Sequence, residues 1–202
     1  ETDTGRLPTA AQNVEMRVYG GATPAAGRVE QTGFVAAPLL FVGPNQVNFQ
    51  MPFDVEGMSA VWIAAARDGI ESEREMVSLA RASPGIFVGG NGWAAVLNDN
   101  NVLNSPASAA AGGTIVTVFF SGLGPVAPQI PSGAPTPFTP LHLPTSSFSA
   151  QVGGQNAPVV GVAMTPGFVG LAQMSLIVPE GLAPGQVSLQ ITIAGRASNG
   201  VL

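Results

Sequence analysis

The sequence predicts an all-β protein made of two tandem immunoglobulin-like antiparallel β-sandwich units that arose by internal duplication. Three observations lead there. The 202 residues include 26 glycines and 18 prolines, only 9% are charged and none is lysine, a composition that favours short strands joined by turns over helices. Apolar residues alternate over short windows that end in Gly, Pro or Asn, and no stretch shows capped 3.6-residue periodicity. Finally, whole segments return later in the chain.

The returning segments keep their order. Leu7-Pro8-Thr9 reappears as Leu143-Pro144-Thr145, Gly20-Gly21 as Gly153-Gly154, Ala37-Pro38 as Ala157-Pro158 and Pro44 as Pro166. The heptapeptide Gln46 to Pro52 parallels Gln173 to Pro179, and Gly69 with Ser72 parallels Gly195 with Ser198. The offset stays between about 120 and 136 residues, far longer than solenoid or propeller periods. The expected units are 1–82, lacking its first strands, and 83–202, with a proline-rich crossover at 122–147.

In the first copy, strands are expected near Val14 to Tyr19, Phe34 to Val42, Gln46 to Met51, Ala60 to Ala66 and Glu75 to Ala80. The second copy repeats that order near Phe148 to Val152, Ala157 to Ala163, Leu171 to Val178 and Val187 to Ala194. Two further strands precede it, at Trp93 to Leu97 and Thr114 to Ser121. The latter has almost no polar alternation, so both its faces are expected to be covered. Between Gly122 and Ser147, proline at every third or fourth residue favours stiff, extended geometry suited to a crossover between strands; recognition by an aromatic groove is the alternative. The aromatic residues expected in the core are Phe49, Trp62, Phe87, Trp93, Phe119 and Phe168.

A unit missing two strands exposes a sheet edge or a groove in its core. The first unit is therefore expected to lean on the second or to receive a strand from another chain.

Charge and composition bound the function. The net charge is −5 and the seven arginines are scattered, against a nucleic-acid surface. No apolar run approaches the roughly 18 residues needed to span a bilayer as a helix. Cysteine is absent, which removes disulfides, thiolate metal sites and Cys nucleophiles. The chain starts at Glu1 rather than Met, and the expectation is that processing or a chosen boundary trimmed it.

Catalytic chemistry finds little support. His142, the single histidine, sits in the proline-rich stretch with no nucleophile elbow to serve. Glu71, Glu73 and Glu75 would share one face of a strand and could hold calcium, a cation that seeks six to eight oxygens or so; a solvated or strand-deterring charged edge is the plainer reading. Asp99 lies in a turn with too few carboxylates for a calcium loop, and the glycines at 89–92 and 122–124 lack the strand and helix of a nucleotide fingerprint. Sugar binding is the alternative with candidate residues, since exposed aromatics can stack on sugar rings: Trp93, Trp62, Tyr19 and Phe138. Trp62 and Trp93 lie in apolar strands, where burial is the default.

Several segments resemble a known family. SPGIF (83–87), NSPASAAAGG (104–113), FFSGLGP (119–125), the stretch from Thr165 to Gly185 and QVNFQMP (46–52) follow the Solibacter uncharacterised C-terminal domain family, in order and over nearly the whole chain. The resemblance implies a C-terminal module of a large exported bacterial protein, with no activity, cofactor or catalytic residue to carry over. Two departures stand out: residues 22–36 look like an insertion between the Gly-Gly turn and Ala37-Pro38, and the last strand stops at Val201-Leu202, where family members continue.

The expected function is thus that of a non-enzymatic structural or interaction module of an exported, cell-surface or extracellular bacterial protein. No cofactor is expected. The expected partners are other domains of a larger exported protein or neighbouring subunits, and polysaccharide is a further candidate. A carbohydrate-binding module and a subunit of an extracellular assembly completed by strand exchange are the two alternative readings.

Overall fold

A computed structural model describes residues 5–20, 33–90 and 92–202. Most of the insertion expected at 22–36 falls outside the described residues. Internal contacts divide the chain into two compact units, Glu1–Arg81 with Ile130–Pro135, and Ala82–Gln129 with Thr136–Leu202. All regular structure among the described residues is β, apart from a single 3-10 turn at Phe53–Val55.

The first unit contains β1 (Ala10–Ala11), β2 (Val14–Gly20), β3 (Val35–Ala36), β4 (Leu39–Gly43), β5 (Gln46–Phe49), β6 (Ala60–Arg67), β7 (Ile70–Glu71) and β8 (Glu75–Ser78). β2 and β6 pair antiparallel over their length, from Val14 opposite Arg67 to Gly20 opposite Val61. Short strands flank this pair, β1 and β3 on β2, and β7 and β8 on β6. β4 and β5 form a separate hairpin with a bulge at Leu40. Strand periodicity sends Met16, Val18, Val61, Ile63 and Ala65 to one face of the larger sheet, where they pack with Leu39, Val47, Phe49 and Val55.

The proline-rich stretch contributes to this unit as well. Gly133 accepts from the Leu7 N–H at 2.9 Å and donates its own N–H to Gln50 Oε1 at 2.7 Å. Ser132 Oγ accepts from the Phe53 N–H at 2.9 Å and donates to Asp54 at 3.0 Å. Ile130 is buried. By internal contacts the first unit runs to Arg81 and takes in Ile130–Pro135, a segment that lies within the expected crossover at 122–147.

The second unit contains β9 (Gly85–Ile86), β10 (Val96–Asn98), β11 (Ile115–Ser121), β12 (Val126–Ala127), β13 (Leu143–Pro144), β14 (Phe148–Val152), β15 (Gln155–Ala157), β16 (Val159–Met164), β17 (Ala172–Ile177), β18 (Leu189–Ile193) and β19 (Arg196–Ala197). One sheet runs β10-β11-β17-β16, with β9 also on β11, and the other runs β15-β14-β18-β19. β12 pairs with β13, so the two ends of the proline-rich crossover are tied to each other. Phe120, Met174, Leu176, Ile191, Ile193 and Val118 are fully buried.

The local bonding of the two units matches in detail. In the first, Asp68 and Gly69 take positive φ, the Ser72 N–H donates to Ala65 O at 2.8 Å and Ser72 Oγ accepts the Ala65 N–H at 3.2 Å. In the second, Ala194 and Gly195 take positive φ, the Ser198 N–H donates to Ile191 O at 2.8 Å and Ser198 Oγ accepts the Ile191 N–H at 3.1 Å. The hairpins agree too: β4 and β16 are each interrupted after their first residue, at Leu40 and Val160. Gln50 N donates to Pro38 O and Ile177 N to Pro158 O, each at 2.9 Å.

Several expectations need correction. β11 is not covered on both faces: Val116, Val118 and Phe120 are buried while Ile115 is 40% exposed and Phe119 half-buried, the alternation of a strand with one core face. Phe120, not Phe119, is the core aromatic. Phe87 and Phe168 are 47% and 56% exposed: Phe87 follows buried Ile86 along the chain and alternation turns it outward, while Phe168 lies just past the turn at Pro166-Gly167. Phe49, Trp62 and Trp93 are half-buried. The strand expected at 93–97 begins at Val96, and Trp93 precedes it.

Candidate functional site

A cluster of mutually bonded polar side chains lies on the outer face of the larger sheet of the first unit. Alternation along β2 turns Met16 and Val18 to the core and leaves Glu15, Arg17 and Tyr19 on the opposite face. Next to β6, the chain turns at Asp68-Gly69 and returns as β7, which brings Glu71 alongside Arg17. Ser72 then bonds back to Ala65, so the chain leaves strand geometry before Arg74 and re-enters it at Glu75.

Glu71 is the hub. Its Oε2 accepts from Arg17 at 3.1 Å and from the Tyr19 hydroxyl, and its Oε1 accepts from Arg74 Nε at 2.8 Å. Arg17 also donates to Glu15 Oε2 at 3.2 Å. The Arg74 guanidinium lies 3.7 Å from the centroid of the Tyr19 ring, and Phe34 meets that ring at 5.7 Å, tilted by 57°. Arg17 in turn sits 4.6 Å from the Phe34 centroid. Such cation–π contacts add stability when partly desolvated.

The electrostatics follow from this geometry. The Tyr19 hydroxyl, then the Arg74 guanidinium and, against the cost of desolvation, Arg17 hold the Glu71 carboxyl at about 2. Burial first, and the neighbouring Glu71 carboxylate second, push the Tyr19 hydroxyl up from its ordinary value. General acid–base catalysis wants a group that titrates near the working pH. A carboxylate this acidic and this fully bonded serves instead as a fixed anion that orders two arginines and a tyrosine. Beside it, Ala10, Asn13, Glu15, Arg17, Ala66, Asp68 and Gly69 line a shallow depression in which Asn13 Nδ2 donates to Asp68 Oδ1 at 2.7 Å.

Glu71, Glu73 and Glu75 do not share one face. Glu71 turns into the clamp, while Glu73 and Glu75 are exposed, because Ser72 interrupts the strand that would have aligned them. Among the described residues no three His, Cys, Asp or Glu side chains are grouped so as to hold a metal ion.

Of the proposed sugar-stacking residues, Tyr19 and Trp62 are brought together as a directly opposed pair on β2 and β6. Tyr19 is 3% exposed and one face of its ring is taken by Arg74, so it offers no platform. Trp62 and Trp93 are half-buried. Phe138, at 79% exposed, is the open one; its ring lies over Gly167, where a Cβ would come within 3.5 Å of it. The Thr136 N–H donates to Phe168 O and the Gly167 N–H to Thr136 O, so this loop holds the exposed rings of Phe138 and Phe168 on neighbouring turns.

His142 is buried, with Nδ1 2.6 Å from the Pro128 carbonyl oxygen. Facing a carbonyl oxygen, Nδ1 is the donor of this hydrogen bond. Among the described residues, Nε2 and the Thr165 hydroxyl are both buried without a hydrogen-bond partner. The imidazole thus ties the proline-rich crossover down through Pro128.

Sequence reasoning missed Arg17, Arg74 and Phe34. The signal was present in part, since Glu15, Arg17 and Tyr19 alternate on one strand face, but their convergence with Glu71 depends on the β6–β7 turn. Set against known proteins, the chain matches no protein-family model and no curated protein. No helix among the described residues is long and apolar enough to cross a membrane.

Proposed function

We propose that this chain is a non-catalytic structural or interaction module of an exported, cell-surface or extracellular bacterial protein, formed by tandem duplication of one immunoglobulin-like sandwich and related to the Solibacter uncharacterised C-terminal domain family. The observation that carries the reading is the residue-by-residue repetition of the bonding scheme: the Ser72 and Ser198 bridges, the left-handed pairs Asp68-Gly69 and Ala194-Gly195, and the bulged hairpins at Leu40 and Val160. Two independent folds would not share three such details at corresponding positions. The Glu71 clamp supports it further, because its charges bond to one another and stiffen the sheet instead of facing a substrate.

Placement outside the cell is tested by treating intact cells of the producing bacterium with protease and identifying the released peptides by mass spectrometry. Peptides of this chain are expected in the released fraction; finding them only after lysis overturns export.

A polysaccharide-binding reading rests on one observation, the exposed Phe138 beside Phe168. Retardation of the native chain in gels containing polysaccharide, abolished by Phe138→Ala, supports it; equal mobility of the two proteins across a broad glycan panel removes it.

A further inference from the structure

The bonding match between the units has one large exception, at the outer edge of β5. In the second unit, the corresponding strand β17 is central: β16 lies on one side and β11 on the other, with Val116 opposite Leu176 and Val118 opposite Met174. Under β11, Met174 and Leu176 are fully buried, at 0% exposed. Their counterparts in the first unit, Val47 and Phe49, pack against the core but remain half-exposed, because nothing among the described residues occupies the place of β11.

The backbone agrees with the side chains. Gln50 donates toward β4, so alternation turns the Val47 and Phe49 N–H and C=O groups to the other side. Among the described residues, none bonds to those groups on that side. Natural sheets protect such an edge with charge, proline, a bulge or brevity. The outer strands β1, β3 and β7 are two residues long and β8 opens on Glu75, but β5 reads Gln-Val-Asn-Phe, with no charge or proline, and the hairpin's bulge is in β4.

We infer that the outer edge of β5 is a docking site for an extended strand of β11 chemistry, running antiparallel to β5 and supplied from outside these 202 residues. The inference rests on reading the two units as copies of one unit. The β11–β17 register states what the incoming strand must carry. Apolar, preferably β-branched, residues lie opposite Val47 and Phe49, as Val118 and Val116 do opposite Met174 and Leu176. A hydroxyl or amide lies opposite Asn48, as Thr117 does opposite Ser175, their oxygens 3.0 Å apart. Main-chain bonds give such an added strand its affinity and the alternate side chains its specificity. Within the chain, Val116-Thr117-Val118 in β11 and Ile191-Thr192-Ile193 in β18 have this pattern, and both are already committed, the first to β17 and the second to β14 and β19.

The test uses the full chain and a synthetic peptide of the Thr114 to Ser121 sequence flanked by lysines, with amide hydrogen exchange read by NMR. In the free chain the Val47 and Phe49 amides are expected to exchange far faster than those of Met174 and Leu176. Saturating peptide is expected to slow them roughly tenfold or more, and a peptide N-methylated at the amides that face β5 is expected to do nothing. Val47 and Phe49 amides that are already as protected as Met174 and Leu176 in a monomer overturn the inference. So does a dimer whose exchange pattern shows β11 swapped between copies, which makes a second copy the occupant, and so does peptide binding that leaves β5 unprotected. Each of these results leaves the protease test of export untouched, so the two readings fail separately.

Discussion

Changing Glu71 to Gln keeps the shape of the side chain but removes the negative charge between Arg17 and Arg74. In the native unit the carboxyl titrates at about 2 instead of 4.5. One pKa unit is worth about 1.4 kcal/mol, so the displacement corresponds to roughly 3.5 kcal/mol. The side chain is 21% exposed, and solvent screening of a partly exposed pair reduces the expected loss to about 1–2 kcal/mol. The folded-state value lies below the unfolded one, so this stability is present above pH 4.5 and is lost as the pH falls toward 2. The assay is urea unfolding followed by tryptophan fluorescence in a Trp93→Phe background, which leaves Trp62, on the strand opposite Tyr19, as reporter of the first unit. Glu71→Gln is expected to lower stability by about 1–2 kcal/mol at pH 7, with more than half of the gap gone by about pH 3. A gap that keeps its size from pH 7 to pH 3 would refute the clamp as an electrostatic device and leave only its packing.

Two further substitutions probe the repeated bonding. Ser198 is 7% exposed while Ser72 is exposed, so Ser198→Ala strands a buried Ile191 N–H and is expected to cost about 1–3 kcal/mol, with Ser72→Ala costing under about 1 kcal/mol because water replaces the hydroxyl; urea midpoints of the two variants read the order directly. Ala194 holds φ of 51° where its counterpart Asp68 holds 52°, and alanine is strained there, so Ala194→Gly is expected to raise stability by about 0.5–1 kcal/mol despite the added freedom of the unfolded chain, as checked by thermal melting.

Much of the fold was legible because strand signals are local. Val14 to Tyr19, Gln46 to Met51, Ala60 to Ala66 and Phe148 to Val152 alternate between breakers, and strands form there at Val14–Gly20, Gln46–Phe49, Ala60–Arg67 and Phe148–Val152. Two-residue strands such as β1, β7 and β9 left no signal, since two residues show no period and their pairing depends on a neighbour far along the chain. The candidate site was less legible for the same reason: Glu71 was read with Glu73 and Glu75 as one strand face, and only the Ser72 bond to Ala65 shows the strand broken between them.

The sequence by itself determined the all-β class, through its glycines, prolines, missing lysine and period-2 alternation, and it marked the parallel segments through Gln46 to Pro52 and Gln173 to Pro179. Tertiary structure decided what period-2 patterns leave open, namely which face is inward. A shift of one residue inverts every side chain of a strand, so Phe120 rather than Phe119 entered the core, and Tyr19 turned outward to Glu71. It also decided ownership: 130–135, read as part of a crossover in the second unit, groups with the first, where Ser132 meets the backbone of Phe53, 79 residues away, and Gly133 meets that of Leu7, farther still. Bonds of that reach depend on where the chain returns in space, which no local pattern of residues encodes.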